Sequence, residues 1–230
     1  GFKELSTFKT LKPGDKVYAT NKGKNIAAFV IGDDSIQNGL AVLGAHIDSP
    51  RIDLKQNPLY ESDNFAYFDT HYYGGIIKYQ WVATPLALYG VVCKKDGTIV
   101  DIAIGDDEND PVVGITDLLP HLAGDKMGKP AAKVIEGEAL DLIVGSKPFV
   151  VNSEDGEKKE PAKEAVKTGV LNILKETYDF EEEDFISAEL EIVPAGKSRE
   201  AGFDRSIILG YGQDDRVCAY TTLRGIIDIP

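Results

Sequence analysis

The sequence predicts an α/β protein in which one α/β domain is interrupted by a second, mostly β module. Two short apolar runs near the start, residues 27–31 and 40–44, are typical of neighbouring strands in a buried sheet. From about residue 51 to 151, short β-type runs alternate with turns rich in Gly, Pro and Asp. A strand followed by a helix returns towards residue 230. We therefore predict the order strands, β-rich insertion, strand and helix.

Composition limits the class of protein. The 230 residues are 43% hydrophobic, which is enough apolar content to form a core. The formal net charge of −13 disfavours nucleic acid and anionic membranes as partners. No apolar run approaches the roughly 20 residues that cross a bilayer, and the first residues lack a signal-peptide pattern. We predict a cytoplasmic protein.

The predicted domain boundaries follow these changes of pattern. Residues 1–52 form the first part of the main domain, 53–203 form the insertion, and 204–230 form the second part of the main domain. Within the insertion, strands are predicted at residues 91–93, 98–104, 140–144 and 188–193. A charged loop is predicted at residues 152–160.

Two helices are predicted from 3.6-residue spacing. The first covers about residues 161–178, with Pro161 in its first turn. The second follows a strand at residues 205–210 and opens at Asp214. The residues expected on the inner face of this second helix are Val217, Tyr220, Leu223 and Ile227.

Only two cysteines are present, Cys93 and Cys218, and they form no CxxC pair. Neither a disulfide framework nor a thiolate zinc site is therefore expected. We predict that both cysteines are core thiols and that Trp81 packs in the core of the insertion. Any metal site must then be built from histidines and carboxylates.

His46 and Asp48 form the first candidate pair. His46 directly follows the apolar run 40–44, and ligands in open α/β sheets lie beyond the carboxyl ends of strands. Side chains two apart in an extended segment face the same way, so Asp48 can reach the His46 ring. A carboxylate in that position would orient a metal-bound imidazole. The alternative is that His46 and Asp48 only hydrogen-bond to each other at the end of a strand and have no role at a metal ion.

A second candidate constellation contains Asp214, Asp215 and Arg216, where an apolar strand gives way to a helix. A carboxylate held at such a junction can bridge two cations, because each of its oxygens can bind one of them. The alternative is that Asp214 caps the helix and Arg216 forms an ordinary surface ion pair. The acidic run 181–184 is predicted to be a solvated turn without a chemical role.

Four motifs occur along the chain in one order. They are GAHIDSP at residues 44–50, YGG at 73–75, LPHL at 119–122 and QDDR at 213–216. Together they resemble the bacterial branch of the aspartyl aminopeptidase family of metallopeptidases, and the resemblance runs across nearly the whole chain. It implies the N-terminal half of a zinc-peptidase-like catalytic domain with a mixed sheet, interrupted by an inserted β-rich dimerisation domain.

The resemblance also implies roles for single residues. His46 would bind one metal ion, Asp48 would orient His46, and Asp214 would bridge both metal ions. Asp215 would not be a ligand. His121 would reach into the active site of the neighbouring subunit and help to hold the substrate.

Two other features have no chemical role in this interpretation. His71 has no counterpart in the family pattern and is predicted to be structural or on the surface. The segment 73–75 is predicted to be a tight backbone turn rather than a phosphate site, because the longer Gly pattern and a following helix are missing.

The implied function is a metal-dependent aminopeptidase that removes N-terminal residues from peptides. Two divalent ions, with zinc expected and cobalt or manganese as alternatives, would activate a shared water, and a Glu would act as general base. That Glu and the remaining ligands are expected beyond residue 230, so the fragment alone should be inactive. The family name suggests acidic N-terminal residues as substrates, although residues 81–85 depart from the more polar eukaryotic version.

The resemblance also implies an oligomeric state, and two alternative functions remain open. The resemblance implies a homo-oligomer, because relatives form dimers that build a hollow dodecamer. A relative from the neighbouring glutamyl aminopeptidase-like group is one alternative, which the motif at residues 119–122 disfavours. A catalytically dead scaffold or shell protein is the alternative from another functional class.

Overall fold

The computed structural model describes residues 1–149 and 163–229. The strands are β1 Lys3–Glu4, β2 Lys16–Asn21, β3 Asn25–Val30, β4 Arg51–Ser62, β5 Phe65–Tyr73, β6 Leu86–Cys93, β7 Ile99–Ile104, β8 Leu142–Gly145, β9 Ala188–Pro194, β10 Arg199–Ala201 and β11 Ile207–Leu209. The α-helices are α1 Gly124–Met127, α2 Ala165–Tyr178 and α3 Gln213–Ile227. Short 3-10 helices lie at Leu5–Thr7, Ile36–Asn38, Lys78–Gln80, Pro120–Leu122, Ala131–Lys133, Gly137–Ala139 and Glu182–Ser187.

The chain divides into two compact units. Unit 1 consists of Gly1–Ser49 together with Gly212–Pro230, and unit 2 is the continuous segment Pro50–Tyr211. The sequence placed the boundaries before residues 53 and 204, whereas the units divide before residues 50 and 212, so the strand β11 lies in unit 2. The assignment of a catalytic domain and a dimerisation domain to these segments stays a prediction.

Unit 2 is built on a six-stranded sheet with the order β7-β6-β9-β4-β5-β8, in which neighbouring strands are antiparallel. One row of cross-strand neighbours, Ile104, Leu88, Ile192 and Ile52, runs over four strands and is buried throughout. Their β-branched and aliphatic side chains suit a pleated core face. The strands expected at residues 91–93, 98–104, 140–144 and 188–193 are confirmed by β6, β7, β8 and β9.

Helix α2 supplies part of the cover for this sheet. Its buried face consists of Ala165, Val166, Val170 and Leu174, at the spacing of one helical stripe. The helix was expected from about residue 161; residue 161 and the expected charged loop 152–160 lie outside the described residues. Trp81 is 6% exposed and belongs to the same core, as predicted.

The first turn of α2 is held by a carboxylate from another element. Glu61, near the end of β4, accepts hydrogen bonds from the backbone N–H groups of Val166 and Lys167, each at 2.9 Å. Because the first N–H groups of a helix have no partner within the helix, Glu61 acts as its cap from a distance.

Strands β6 and β9 approach each other unusually closely at Gly90. This glycine pairs with Leu190 and has a φ of 145°. A Cβ at this position would lie 1.9 Å from the carbonyl oxygen of Glu189. Only glycine therefore permits this pairing.

The acidic run 181–184 is solvated, as expected, and most of it lies in a short helix. It begins the 3-10 helix Glu182–Ser187, and the Glu181 N–H donates to the Asp184 carboxylate at 2.9 Å in a capping box. Glu181, Glu182 and Glu183 are exposed, while Phe185 reaches the core. The aromatic anchor explains why this segment is ordered.

Unit 1 contains a small mixed sheet. Strand β1 is parallel to β2, and β2 is antiparallel to β3. The strand expected at residues 27–31 is present as β3, but most of its residues are exposed. The strand expected at residues 40–44 is wrong: this segment has no regular structure, and Val42 is 78% exposed. Its apolar composition suits burial, but the described residues leave its large side chains mostly exposed.

Helix α3 is present where it was expected, but its predicted inner face is wrong. Val217, Tyr220, Leu223 and Ile227 are all exposed. The prediction of a helix from the spacing of these residues is correct. Burial of its apolar stripe would need an opposing surface, and residues 1–149 and 163–229 do not provide one.

The cysteine prediction is also wrong, because Cys93 and Cys218 are both exposed. Cys93 is the last residue of β6, and Cys218 lies on the exposed helix α3. Across the described residues, no helix combines the length and apolarity needed to cross a membrane.

Candidate metal centre

His46 and Asp48 lie together in an exposed segment without regular structure. The His46 Nδ1 is 3.0 Å from Oδ1 of Asp48 and 3.2 Å from the Asp48 carbonyl oxygen. The His46 side chain is 63% exposed. Because Nδ1 is occupied by Asp48, Nε2 is the ring nitrogen that could coordinate a metal ion.

The surroundings of His46 favour its protonated form. The hydrogen bond to the Asp48 carbonyl raises the pKa of His46 above 6.5, and the negative charges of Asp215 and Asp48 raise it further. Partial desolvation acts in the opposite direction. The site therefore attracts positive charge, whether this is a proton or a cation.

Asp214 and Asp215 lie at the start of α3, where the backbone departs from helical geometry. Gly212 precedes the helix in the left-handed region. Asp214 has φ −87° and ψ 113°, and the peptide bond to Asp215 is cis. A capping residue also has non-helical backbone angles, so the alternative interpretation of Asp214 as a helix cap stays open.

A carboxylate from this segment faces His46. Oδ2 of Asp215 lies 3.5 Å from His46 Nε2, and the Asp215 side chain is 19% exposed. The sequence interpretation gave Asp215 no role as a ligand and assigned the bridging carboxylate to Asp214. The carboxylate that faces the Nε2 atom of His46 belongs to Asp215, the residue after Asp214.

A serine links the two segments directly. The Ser49 hydroxyl donates a hydrogen bond to the Asp214 carbonyl oxygen at 3.2 Å. Sequence analysis missed this contact, although Ser49 and Asp214 both lie in the quoted motifs. No spacing pattern indicates a bond between residues 165 positions apart.

The donors present fit zinc chemistry but do not complete a site. Imidazole and carboxylate groups are standard zinc ligands, and three or more protein ligands are usual. Residues 1–149 and 163–229 contain no group of three or more His, Cys, Asp or Glu side chains arranged for a metal ion. The described residues therefore offer donors of the right kind but not a complete ligand set.

Cys218 is a poor candidate for an additional ligand. A hydrogen bond to Asp215 raises the pKa of the Cys218 thiol, and the charges of Asp215 and Asp214 raise it further. Zinc binds the thiolate form, which these carboxylates disfavour. The expectation that a metal site uses histidine and carboxylates is consistent with this environment.

The other two histidines lie in unit 2. His121 is exposed on the 3-10 helix Pro120–Leu122. His71 lies on β5 with its Nδ1 3.0 Å from Oε1 of Glu138, and its ring stacks on Tyr72 at 5.2 Å between centroids. The prediction that His71 is on the surface is confirmed, because its side chain is 61% exposed.

The glycine pair after β5 forms the expected backbone turn. Gly74 has a φ of 72°, and a Cβ there would lie 3.3 Å from the Pro50 side chain. The left-handed backbone favours glycine here, and the Pro50 side chain leaves little room for a Cβ.

A family model described as "Aminopeptidase I zinc metalloprotease (M18)" matches residues 1–230. The chain belongs to the M18 family of aminopeptidases. A probable M18 family aminopeptidase 1 from Clostridium acetobutylicum is 56% identical over 225 residues, which cover 98% of this chain and 47% of that protein. The M18 chain described here thus spans about half the length of the curated relatives that it matches. The family resemblance inferred from the four motifs is confirmed.

Solved M18 structures share the fold. An M18 aminopeptidase from Thermotoga maritima is 51% identical, with a TM-score of 0.86 over 100% of this chain and 48% of that one. An S. cerevisiae structure described as the mApe1 dodecamer is 22% identical, with a TM-score of 0.58 over 90% of this chain and 43% of that one. The second likeness shows the fold alone.

Proposed function

We propose that the natural-length protein is a metal-dependent aminopeptidase and that this chain contributes one end of its metal centre. The observation that carries the proposal is the His46 imidazole, which is held at Nδ1 by Asp48 and faces a carboxylate at Nε2. The family match to a zinc metalloprotease supports this chemistry over other uses of a His–Asp pair.

The residues of this chain would act by binding and orientation. His46 would bind a metal ion through Nε2, while Asp48 holds the proton on Nδ1 and fixes the ring. Asp214 is proposed to bridge two ions, since each oxygen of a carboxylate can bind one of them. The bound ions, zinc in our proposal, would supply Lewis acidity and lower the pKa of a water molecule.

His121 is proposed to act in trans in a homo-oligomer. Its exposed position in unit 2 is compatible with contact to another subunit. Unit 2 would then be the dimerisation domain that the sequence resemblance implies. Light scattering of the natural-length protein tests this assembly, and a fully active monomer would contradict it.

The substrates are proposed to be peptides with a free N-terminus, with acidic N-terminal residues preferred. Aminoacyl reporter substrates compared side by side test this preference. Rates on Leu that equal or exceed those on Asp would remove the acidic assignment. The cytoplasmic location stays a prediction from the sequence.

The ligand assignment is tested by metal analysis of the natural-length protein. We expect His46→Ala and Asp214→Asn to lose bound zinc at least about 10-fold and to lose peptidase activity. His71→Ala is the matched control, because it removes an exposed histidine from unit 2. Retention of metal and activity by both site variants would refute the assignment.

Asp215→Asn distinguishes the two neighbouring carboxylates. If Asp215→Asn loses zinc while Asp214→Asn keeps it, the ligand is Asp215, whose carboxylate faces His46 Nε2. A protein that binds zinc at His46 and cleaves none of the peptides would instead favour the scaffold alternative.

A further inference from the structure

We infer that Ser49 is a positioning residue that sets the separation between the His46–Asp48 pair and the Asp214–Asp215 pair. This inference rests on the proposed metal function. It concerns a side chain that would not touch the metal ion and that the family resemblance did not single out.

The first support is the hydrogen bond between the two segments. Ser49 directly follows Asp48 and is half-buried, unlike the exposed residues before it. Its hydroxyl donates to the Asp214 carbonyl oxygen at 3.2 Å. The Ser49 side chain thus connects the backbone next to Asp48 with the backbone of Asp214, the proposed bridging residue.

The second support is the space left for this contact. A Cβ at Gly212 would lie 3.2 Å from the Ser49 hydroxyl oxygen and 3.3 Å from the guanidinium carbon of Arg216. Gly212 also has a φ of 78°, which side chains rarely adopt. The glycine therefore lets Ser49 approach the start of α3 closely.

The carbonyl that Ser49 holds lies between the two acidic side chains. It belongs to the peptide group that joins Asp214 to Asp215, so fixing it restrains the backbone from which both carboxylates project. A bound ion requires its ligands at defined distances, and a metal site loses affinity when the groups that orient its ligands are removed. Loss of the hydroxyl should therefore weaken metal binding.

A merely structural role would have a different signature. The contact lies at the surface of unit 1, where few side chains are buried, so its removal should change the melting temperature of the metal-free protein only slightly. Metal affinity and metal-free stability therefore separate the two roles.

The experiment measures the zinc dissociation constant of the natural-length protein by chelator competition, together with the melting temperature of the metal-free form. We expect Ser49→Ala to weaken zinc binding about 5-fold, the factor that corresponds to one neutral hydrogen bond. Ser49→Thr keeps the hydroxyl and should restore most of the affinity. Ser35→Ala removes another unit 1 serine hydroxyl, whose bond is to Gln37, and should have no effect.

The outcomes separate this inference from the proposed function. If His46→Ala abolishes zinc binding while Ser49→Ala binds zinc as tightly as the wild type, the role of Ser49 is refuted and the metal function stands. A lower melting temperature without a change in zinc affinity refutes it in the same way. If the wild-type protein binds no zinc, both proposals fail.

Discussion

Units 1 and 2 contain similar proportions of apolar residues, but unit 2 buries many of them and unit 1 leaves most of them exposed. In unit 2, Ile52, Leu86, Leu142 and Ile192 are completely buried, and they join one continuous core. Among the described residues, Val17 is the only buried hydrophobic residue of unit 1. Unit 1 instead exposes large apolar side chains in β3, in the segment 40–47 and along α3.

The difference shows what hydrophobic patterning encodes. An apolar run or stripe predicts that a surface is compatible with burial, but burial itself needs an opposing surface. Unit 2 contains both sides of its core within residues 50–211, whereas unit 1 exposes the apolar side of its elements.

The largest expected contrast is the response to truncation of an apolar side chain. Leu142→Ala should lower the free energy of unfolding by about 2–5 kcal/mol, because Leu142 is fully buried and a cavity would remain. Val42→Ala in unit 1 should change it by less than about 0.5 kcal/mol. Urea unfolding of the 230-residue chain measures both, and equal losses would remove the contrast between the units.

Hydrogen exchange should show the same contrast without mutation. Amides of β4 and β9 lie in the middle of the six-stranded sheet and should exchange on the order of 100-fold more slowly than those of β2 and β3. Exchange followed by mass spectrometry or NMR provides the measurement. Comparable protection in both sheets would show that unit 1 is as stable as unit 2.

A smaller effect is expected at the remote cap of α2. Glu61→Ala should destabilise unit 2 by about 1 kcal/mol, because two N–H groups of the helix lose their acceptor. Glu61→Gln keeps an acceptor oxygen and should cost less. Glu176→Gln, at an exposed position of α2, is the control; an equal effect there would argue against capping.

The smallest effect concerns pH. The hydrogen bond from Lys55, and then that from His71, lowers the pKa of Glu138 below 4.5. A lowered pKa stabilises the folded state above that value, and this contribution is lost as the pH falls through the folded-state pKa. Glu138→Gln should therefore make the decline of the melting temperature below about pH 4.5 shallower. Glu136→Gln, an exposed neighbour, should leave the slope unchanged.

Much of the secondary structure could be predicted from the sequence because it depends on local pattern. The alternation of Leu190 and Ile192 with glutamates identifies β9, and the stripe containing Val166, Val170 and Leu174 identifies α2. The failures at residues 40–44 and at the inner face of α3 concern burial, which depends on what lies opposite. The same holds for Cys93 and Cys218, since their type alone suggested a core.

For the candidate site, the motifs identified the segments and only part of the geometry. The contact between His46 and Asp48 follows from their spacing, because alternate residues of an extended segment face the same side. The position of Asp215 opposite His46 depends on the non-helical backbone at the start of α3, which composition does not reveal. The Ser49 bond depends on the meeting of distant segments.

The position of β9 in the six-stranded sheet also constrains the order in which the protein can fold during synthesis. Strand β9 pairs with β4 on one side and with β6 on the other, although it is made after β4–β8. Until residues 188–194 leave the ribosome, the β6–β7 and β4–β5–β8 ladders lack the strand that pairs with both β6 and β4, and only the isolated bridges of Val113 to Leu86 and of Gly114 to Ile143 connect them. A nascent chain that pauses earlier would expose the unpaired edges of β4 and β6. Slow translation before β9 should therefore increase its need for chaperones.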